Sequence, residues 1–482
     1  ARRRRSPVLR LHFAAAELAP LVLSGGLGEA VSGLARALAA RGHDVTCLLP
    51  AHRLALQSPE LPPLEEAGAL RLAVPGRADV VGRWLEGRLG ALRLLLLDVP
   101  ALYDRPQLYD GGPGEALRFT TFARAAAARA AAETPHVLVA HDWHAALALT
   151  CLRMLHDFGP ARAVGCVQVV HNNAYQGRFA GSAMALTGLP SELFHPDALE
   201  FWGDLCLLKG GLVWADRIVA VSPTHAEELK TEAFGAGLEG LYRWRAHRLL
   251  GIANGIDVER HDPATDPALP ARYDASDPRG KAACRARLLA ELGLAAPPPG
   301  RLLAAIGRLA EQKGWDVLAD ALPALVAQGA ALALLGDGDP RIAERLREAA
   351  RRWPERVALR IGWDEALARR IQAGADAVLI PSRFEPCGLV QLVAQRYGTL
   401  PVAHRVGGLA DTIEDGQTGV LFAPLAPDAL AAAAERAARL LEEQGRDKMV
   451  RRLLALDVSW SAPAERYESV FAAVAREGRR RI

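Results

Sequence analysis

Short apolar runs alternate with segments of helical periodicity along most of this 482-residue chain. Near the amino end, an apolar run at 8–15 precedes a glycine-rich turn at 24–28, a helical stretch at 30–40 and another apolar run at 45–49. A helical connection of ten or more residues joins parallel strands, because a crossover of that length does not form a hairpin. The alternation therefore predicts an α/β fold with a parallel sheet.

The same alternation starts again near Arg301 and predicts a second sheet. We expect two doubly wound, Rossmann-like halves facing a central cleft, since ligands of such sheets bind at the carboxyl ends of the strands. The predicted domains are 1–253, 254–457 and a closing segment at 458–482. The strands predicted for the second half are 302–306, 331–335, 357–361, 377–380 and 400–403, and its helices include 281–292 and 315–327.

Charge and cysteine usage narrow the class of protein. The 58 basic and 55 acidic residues leave a net charge of +3, too small to indicate nucleic acid or an anionic membrane as the main partner. The longest uncharged stretch, 321–336, is broken by Pro323 and Gly329, so we expect no membrane span. Six cysteines without a Cys-x-x-Cys pair indicate a reducing compartment and no zinc site.

The opening Ala-Arg-Arg-Arg-Arg lacks the uninterrupted apolar core that follows the basic region of a secretory signal. Two interpretations of it stay open. It is either a solvated basic end, which we favour, or the remnant of a trimmed targeting peptide or of a longer chain.

The first glycine turn is a candidate phosphate site. Gly25 and Gly26 lie between a predicted strand and a predicted helix, where bare amides and the helix amino end can receive a phosphate. Val31 occupies the last glycine position of the only Gly-x-Gly-x-x-Gly frame, which disfavours a nicotinamide dehydrogenase. The alternative is an ordinary tight turn at a strand–helix junction.

Two cations follow the first strand of the second half. Arg308 and Lys313 lie on the loop at the carboxyl end of that strand, where a guanidinium fork and an ammonium can together neutralise a diphosphate. The alternative is that both are surface cations.

A second candidate loop follows the predicted strand 377–380. Pro386 is predicted in the first turn of the next helix, and Gly388 leaves room for a ligand to approach free amides. Glu385, in the same loop, is placed to hydrogen-bond a sugar hydroxyl or to meet positive charge at an anomeric carbon. The alternative is that Glu385 caps the helix.

Two polar clusters follow apolar strands of the first half. His171 and Asn172 come after the run 167–170, and Asp142 lies in the His-Asp-Trp-His segment after the run 137–140. A single histidine after a strand is more often structural, whereas two clusters on neighbouring strand ends favour a site.

Taken together, these segments resemble the glycogen and starch synthase family, retaining glycosyltransferases of family 5 with a GT-B fold. The resemblance covers nearly the whole chain, and it implies that the closing segment at 458–482 forms a helix that crosses back onto the first domain. The segments that carry it are Leu102-Tyr103-Asp104-Arg105-Pro106, His141-Asp142-Trp143-His144, Leu208-Lys209-Gly210-Gly211-Leu212, Asn254-Gly255-Ile256-Asp257, Phe384-Glu385-Pro386-Cys387-Gly388-Leu389 and Gly407-Gly408-Leu409-Ala410-Asp411-Thr412.

The resemblance implies transfer of glucose from ADP-glucose to the non-reducing end of an α-1,4-glucan, with retention and without a metal or other cofactor. It implies that Arg308 and Lys313 bind the donor diphosphate and that Glu385 contacts the glucose. With His171, which is expected against the transferred sugar, these form the predicted catalytic set.

Substrate binding is predicted for a wider set of positions. The resemblance implies that the Gly388 and Leu389 amides hold phosphate and that Asp142 and Asn254 line the sugar pocket. The complete set predicted to bind substrate is Gly25, Gly26, Tyr103, Asp142, Asn172, Asn254, Cys387, Gly388 and Leu389.

One departure from the family pattern concerns the first glycine loop. Leu23 stands where the family usually has a lysine near the donor phosphates, and Glu29 stands where aspartate is common. The change leaves open a weaker enzyme, another donor preference, or a non-catalytic glucan-binding or regulatory protein. A sucrose- or trehalose-type synthase is a further alternative.

The expected location is a bacterial cytoplasm, or a plastid stroma if the basic start is a trimmed transit peptide.

Overall fold

Two units with separate sheets make up the part of the chain that the structure, a computed structural model, describes, namely residues 7–112 and 114–481. Unit 1 combines the chain up to Asn254 with the segment from Trp460 onward, and unit 2 spans Gly255–Ser459. The first division falls one residue after the predicted boundary and the second falls two residues after it. The basic run at 1–5 lies outside the described residues.

Unit 1 contains a large mixed sheet and a small antiparallel sheet. Its strands are β1 (Arg10–Ala14), β2 (Asp44–Pro50), β3 (Glu65–Leu72), β4 (Val80–Leu89), β5 (Leu92–Asp98), β6 (Val137–His141), β7 (Gly165–Val170), β8 (Arg178–Ala180), β9 (Glu200–Phe201), β10 (Asp204–Cys206), β11 (Arg217–Ala220) and β12 (Leu249–Gly251). Its helices before residue 255 are α1 (Gly26–Ala40), α2 (Arg53–Leu56), α3 (Pro100–Tyr103), α4 (Gly114–Glu133), α5 (Asp142–Leu155), α6 (Leu207–Trp214), α7 (Pro223–Glu228), α8 (Glu232–Gly235) and α9 (Glu239–Trp244).

The strand order in the main sheet of unit 1 is β12-β11-β7-β6-β1-β2-β5-β4-β3. The strands from β12 to β5 pair in parallel, as predicted, whereas β4 runs antiparallel to both β5 and β3. A small antiparallel sheet of order β8-β10-β9 lies in the excursion between β7 and α6. The sequence reasoning predicted neither antiparallel element.

Burial explains which strands were recognised. Every residue of β6 and of β7 is buried, so these strands appear in the sequence as continuous apolar runs, as is typical of a parallel sheet covered on both faces. In β3, by contrast, only Leu70 is buried, and apart from the half-buried Leu72 the other residues are polar or small. Such a strand is held mainly by pairing with β4 and carries little hydrophobic pattern.

Unit 2 is built on a fully parallel sheet of order β15-β14-β13-β16-β17-β18. Its strands are β13 (Leu302–Ile306), β14 (Ala331–Gly336), β15 (Val357–Ile361), β16 (Ala377–Ile380), β17 (Leu400–His404) and β18 (Val420–Phe422). Its helices are α10 (Gly280–Leu292), α11 (Trp315–Ala327), α12 (Pro340–Arg352), α13 (Glu365–Gly374), α14 (Val390–Arg396), α15 (Gly407–Thr412), α16 (Pro427–Gln444) and α17 (Arg446–Leu454).

The five strands predicted for unit 2 agree with the structure to within one residue, and so do the helices at 281–292 and 315–327. One helix start differs. Helix α14 begins at Val390 with Leu389 as its N-cap, so Pro386 lies in the preceding loop and not in the first helical turn.

The last helix, α18 (Ser461–Arg479), packs within unit 1. The Phe471 ring is fully buried and meets the Phe13 ring of β1 edge-on, with ring centroids 6.1 Å apart. The Arg41 guanidinium pairs with the Glu468 carboxylate at 2.6 Å. Helix α18, which lies in the segment expected to return to the first domain, thus packs into the core of unit 1.

No helix among residues 7–112 and 114–481 combines the length and the apolar character that a membrane crossing requires.

Candidate active site

In unit 2, the loops after β13 and β16 bring an ammonium and a carboxylate together. The Lys313 Nζ donates to Glu385 Oε2 at 2.6 Å, and the Ser382 hydroxyl donates to the same oxygen at 2.9 Å. Glu385 is only 7% exposed, so these two donors replace hydrogen bonds that its side chain would otherwise make with water. Lys313, Ser382 and Glu385 line one small pocket at the carboxyl edge of the sheet.

Gly314 makes this meeting possible. Its φ is +66°, in the left-handed region, and a Cβ there would lie 1.9 Å from the Pro381 carbonyl oxygen. A residue with a side chain would therefore push the turn that carries Lys313 away from the end of β16. The short 3-10 helix Glu311–Lys313 ends at this glycine.

Arg308 lies on the same edge as Lys313. Its side chain is exposed, and the described residues offer its guanidinium neither a hydrogen bond nor an ion pair. Its backbone carbonyl is held by the Trp315 indole N–H at 2.7 Å, which fixes the loop. The nearby Arg383, by contrast, is committed to Asp316 by a fork of two hydrogen bonds at 2.8 and 2.6 Å.

Glu385 does not cap helix α14, because the helix begins five residues further on. The intervening loop turns at Gly388, whose φ is +75°. Gln391 ties this loop to the helix, since its amide donates to the Cys387 and Gly388 carbonyls, both at 3.0 Å. The backbone of Gly388 and Leu389, predicted to meet phosphate, thus lies directly before the amino end of α14.

In unit 1, Asp142 organises the loop after β7. It is the first residue of α5, and its φ of +54° is unusual for a residue other than glycine. Its Oδ1 accepts the backbone amides of His171 at 2.6 Å and of Asn172 at 3.2 Å. Burial raises the pKa of the Asp142 carboxyl to about 7, although these two amides oppose the shift.

The His171 imidazole is paired with a second histidine. Its Nε2 lies 2.9 Å from Nδ1 of His141, a fully buried residue at the end of β6. Burial lowers the pKa of His171 to about 3 and that of His141 well below its ordinary value. Both rings are therefore neutral at pH 7, and one ring nitrogen donates while the other accepts.

The first glycine loop surrounds a buried carboxylate. Glu17, 2% exposed, accepts the Ser24 amide at 2.7 Å, the Ser24 hydroxyl at 2.9 Å and the Tyr109 hydroxyl at 2.7 Å. Helix α1 begins at Gly26 with Gly25 as its N-cap, and this glycine supplies no side-chain hydrogen bond to the first amides of the helix. Leu23 lies beside this helix start and is 41% exposed.

Two further predicted substrate contacts are buried in unit 1. The Tyr103 side chain belongs to the core of unit 1, where it is 1% exposed and its hydroxyl donates to the Arg118 carbonyl at 2.9 Å. This burial and this hydrogen bond hold the Tyr103 side chain within the core of unit 1. Asn254 is buried just beyond the end of β12.

Three groups at these sites were missed by the sequence reasoning: Ser382, Glu17 and Tyr109. Ser382 lies two residues after the end of β16, so its place at a strand end was a usable signal. Glu17 and Tyr109 are 92 positions apart, and no local sequence pattern indicates that they form a hydrogen bond.

A cavity of about 220 Å³ lies at the opposite edge of the unit 1 sheet, beside the amino ends of β1 and β2. Its walls include Arg10, His12, Asp44 and Glu133, and it contains none of the predicted site residues. Among residues 7–112 and 114–481, no three histidine, cysteine, aspartate or glutamate side chains gather into a group suited to a metal ion.

Comparisons with known proteins agree on one family. Residues 10–244 match the family model described as starch synthase catalytic domain, and residues 300–439 match the model described as glycosyl transferases group 1. A glycogen synthase of Anaeromyxobacter dehalogenans (strain 2CP-C) is 43% identical over an alignment 482 positions long. The alignment covers 97% of this chain and all of that protein. A glycogen synthase of Aromatoleum aromaticum is 42% identical, over 98% of each chain.

A solved structure extends the comparison to the fold. The catalytic domain of starch synthase IV from Arabidopsis thaliana, bound to ADP and acarbose, superposes with a TM-score of 0.91 at 29% identity, covering 98% of this chain and all of that one. The two Rossmann-like units and these matches define a glycosyltransferase with the GT-B fold. More narrowly, the chain belongs to the glycogen and starch synthase family.

Proposed function

We propose that this protein transfers glucose from ADP-glucose to the non-reducing end of an α-1,4-glucan with retention of the anomeric configuration. The observation that carries the proposal is the pairing of Lys313 with Glu385 at the carboxyl edge of the unit 2 sheet, with the exposed Arg308 on the same edge. The bound ADP of the starch synthase relative supports the choice of nucleotide, and its bound acarbose supports a glucan acceptor.

Arg308 and Lys313 are the proposed diphosphate ligands. An ammonium has three donors, and Lys313 gives one of them to Glu385, which leaves two for phosphate oxygens. The Arg308 guanidinium, with no described partner, is available as a bidentate fork. Together these cations neutralise the charge that the leaving nucleoside diphosphate gains as the glycosidic bond breaks.

Glu385 is the proposed contact for the glucose ring. With Lys313 and Ser382 on one of its oxygens, the second oxygen remains to accept a sugar hydroxyl or to face the positive charge at the anomeric carbon. The Gly388 and Leu389 amides, just before α14, are proposed to hold phosphate.

The unit 1 cluster is proposed to hold the transferred sugar. A neutral His171 offers a hydrogen bond without a charge, and Asp142 fixes its backbone through the amide at 2.6 Å. In this mechanism the protein supplies positioning and charge neutralisation, the acceptor 4-hydroxyl attacks on the face from which the diphosphate departs, and no enzyme nucleophile or metal is needed.

The non-catalytic alternative rests on Leu23 alone and is not favoured, because relatives about 42% identical over nearly the whole chain are glycogen synthases. These relatives are bacterial, which supports a bacterial cytoplasm as the proposed location.

The test is incorporation of labelled glucose into glycogen by the purified protein, with ADP-glucose and UDP-glucose offered separately. We expect transfer from ADP-glucose, loss of transfer in Glu385→Gln, and normal transfer in Glu348→Gln, which changes an exposed glutamate of α12. New linkages that are α by proton NMR would support retention. Absence of transfer from either donor would refute the proposed function.

A further inference from the structure

A tryptophan stands at the tip of a hairpin in the excursion that follows β7. Strands β9 and β10 are joined by two residues, Trp202 and Gly203, with φ values of 56° and 84°. Positive φ at both loop positions is typical of a type I′ turn, in which asparagine followed by glycine is the favoured pair. A bulky residue in the left-handed region is a genuine outlier and carries a conformational cost.

The same tryptophan is exposed to solvent. Its side chain is 80% exposed, although indole is among the larger apolar groups that folding normally buries. The position therefore combines an unfavourable backbone conformation with an unfavourable exposure, and asparagine would relieve both. Residues held in strained backbone conformations cluster at active sites and ligand-binding positions, so the conformation of Trp202 points to a functional role.

The hairpin holds the indole in a defined place. The Glu200 carboxylate accepts the Gly203 amide at 2.6 Å, which closes the turn. The Trp202 ring meets the ring of the buried Phe201 edge-on, with centroids 6.3 Å apart. At Gly237, a Cβ would lie 2.8 Å from the Phe201 ring and 3.5 Å from the Trp202 indole nitrogen, so this glycine leaves room for both.

The loop around Gly237 also anchors the segment that follows His171. Asn173 donates its side-chain amide to the Gly235 carbonyl at 2.9 Å, and Gln176 donates to the Ala236 carbonyl at 3.1 Å. The end of α8 and the turn at 236–237 thus contact both the hairpin and the segment beginning at His171, which is proposed to hold the transferred sugar. Residues 235–237 therefore connect Trp202 to the proposed sugar site.

The chemistry of the hairpin suits a carbohydrate. An indole face stacks on the apolar C–H face of a pyranose ring, and charged planar groups nearby hydrogen-bond its hydroxyls. Arg178 of β8 and Asp204 of β10 form a half-exposed pair at 2.9 Å on the same small sheet. A membrane or nucleic acid would require a basic surface, whereas this pair is neutral overall.

We propose that Trp202 is a stacking platform that holds the α-1,4-glucan acceptor at a sugar ring removed from its reacting end. The proposal rests on the proposed function for the identity of the glucan. It assigns to the β8-β10-β9 sheet a role in acceptor affinity and not in the chemical step.

The test uses Trp202→Asn, since asparagine favours this turn and removes the platform without straining the backbone. We expect its melting temperature to equal or exceed that of the parent. Its dissociation constant for maltoheptaose, measured by calorimetry without donor, should be about five- to tenfold weaker. Trp202→Tyr, which keeps an aromatic face, should restore most of the affinity.

Trp244→Ala is the matched control, because Trp244 is also exposed, at 65%, but ends helix α9 with an ordinary backbone. It should bind maltoheptaose as the parent does, and the KM for ADP-glucose should be unchanged in every variant. Parental affinity in Trp202→Asn, equal loss in Trp244→Ala, or a change of oligomeric state in Trp202→Asn alone would each overturn the platform. Glucan transfer by the parent tests the proposed function separately, because the calorimetry needs no turnover.

Discussion

Lys313 and Glu385 lie 72 positions apart in the sequence, and their charged groups are 2.6 Å apart in the fold. The two residues follow β13 and β16, which are adjacent parallel strands, so their carboxyl ends share one edge of the sheet. The close approach at Gly314 then brings the two loops into contact. The order of the strands thus places the two residues of the proposed donor site side by side.

Replacing Lys313 should weaken use of the donor. In Lys313→Met the diphosphate loses one charge-assisted contact, worth about 1.5 to 3 kcal/mol, so the KM for ADP-glucose should rise about tenfold to a hundredfold. Initial rates across donor concentrations measure the change. Lys448→Met, at an exposed position of α17, is the control and should leave the KM unaltered. An unchanged KM in Lys313→Met would remove Lys313 from the donor site.

Restoring a cation in the first glycine loop should improve donor use. Leu23 is 41% exposed beside the start of α1, so Leu23→Lys can extend an ammonium into solvent without disturbing the core. We expect the KM for ADP-glucose to fall about tenfold, the gain of one charge-assisted contact. Leu23→Met should behave as the parent. If both variants match the parent, the loop does not meet the phosphates.

The Asp142 carboxyl should make stability depend on pH. Its pKa is about 7 in the folded protein, above the value of about 3.9 for an unfolded aspartate, so folding favours its protonated form. This contribution is complete below about pH 4 and is lost as pH rises through 7. Asp142→Asn removes the dependence and keeps an oxygen that can accept the His171 and Asn172 amides.

Urea unfolding at pH 5 and pH 8 tests this sign. The advantage of Asp142→Asn over the parent should grow with pH, to at most about 4 kcal/mol at pH 8, since each pKa unit corresponds to about 1.4 kcal/mol. Asp447→Asn, at an exposed position, should show no such growth. An advantage that is larger at pH 5 would contradict the assignment.

The Phe471 contact should contribute to the stability of unit 1. Phe471 is fully buried against Phe13, so Phe471→Ala should destabilise the protein by about 3 to 5 kcal/mol through lost burial and the cavity left behind. Phe158→Ala, which removes a ring that is 67% exposed, is the matched control and should cost little. Equal effects in the two variants would mean that α18 is not part of this core.

The sequence predicted the parallel strands because they are buried on both faces. Runs such as β14 and β16 consist entirely of buried, mostly apolar residues and end at a glycine or a loop, so their bounds are visible without a structure. Strand β3 is largely exposed, and its order comes from pairing, which a local pattern does not reveal. The start of α14 was predicted too early. Proline fits the first turn of a helix and a loop equally well, so Pro386 does not mark where the helix begins.

The candidate site divides in the same way. Glu385, Lys313 and Arg308 could be selected from their positions after strands, since charged residues at carboxyl ends of parallel strands are typical of binding sites. The hydrogen bond from Ser382, the pairing of His171 with His141 and the enclosure of Glu17 depend on tertiary contacts. Tyr103 was selected from its family segment, and its burial in the core of unit 1 likewise depends on tertiary contacts.

The return of α18 to unit 1 has a consequence for synthesis on the ribosome. The chain from 7 to 254 emerges first, yet the cover over Phe13 is not made until residues 461–479 leave the exit tunnel. Unit 2 is continuous in sequence, so all the strands of its sheet are synthesised while unit 1 still lacks helix α18. The nascent protein therefore exposes an apolar surface of unit 1 while about two hundred further codons are translated. A chaperone would be needed most during this interval.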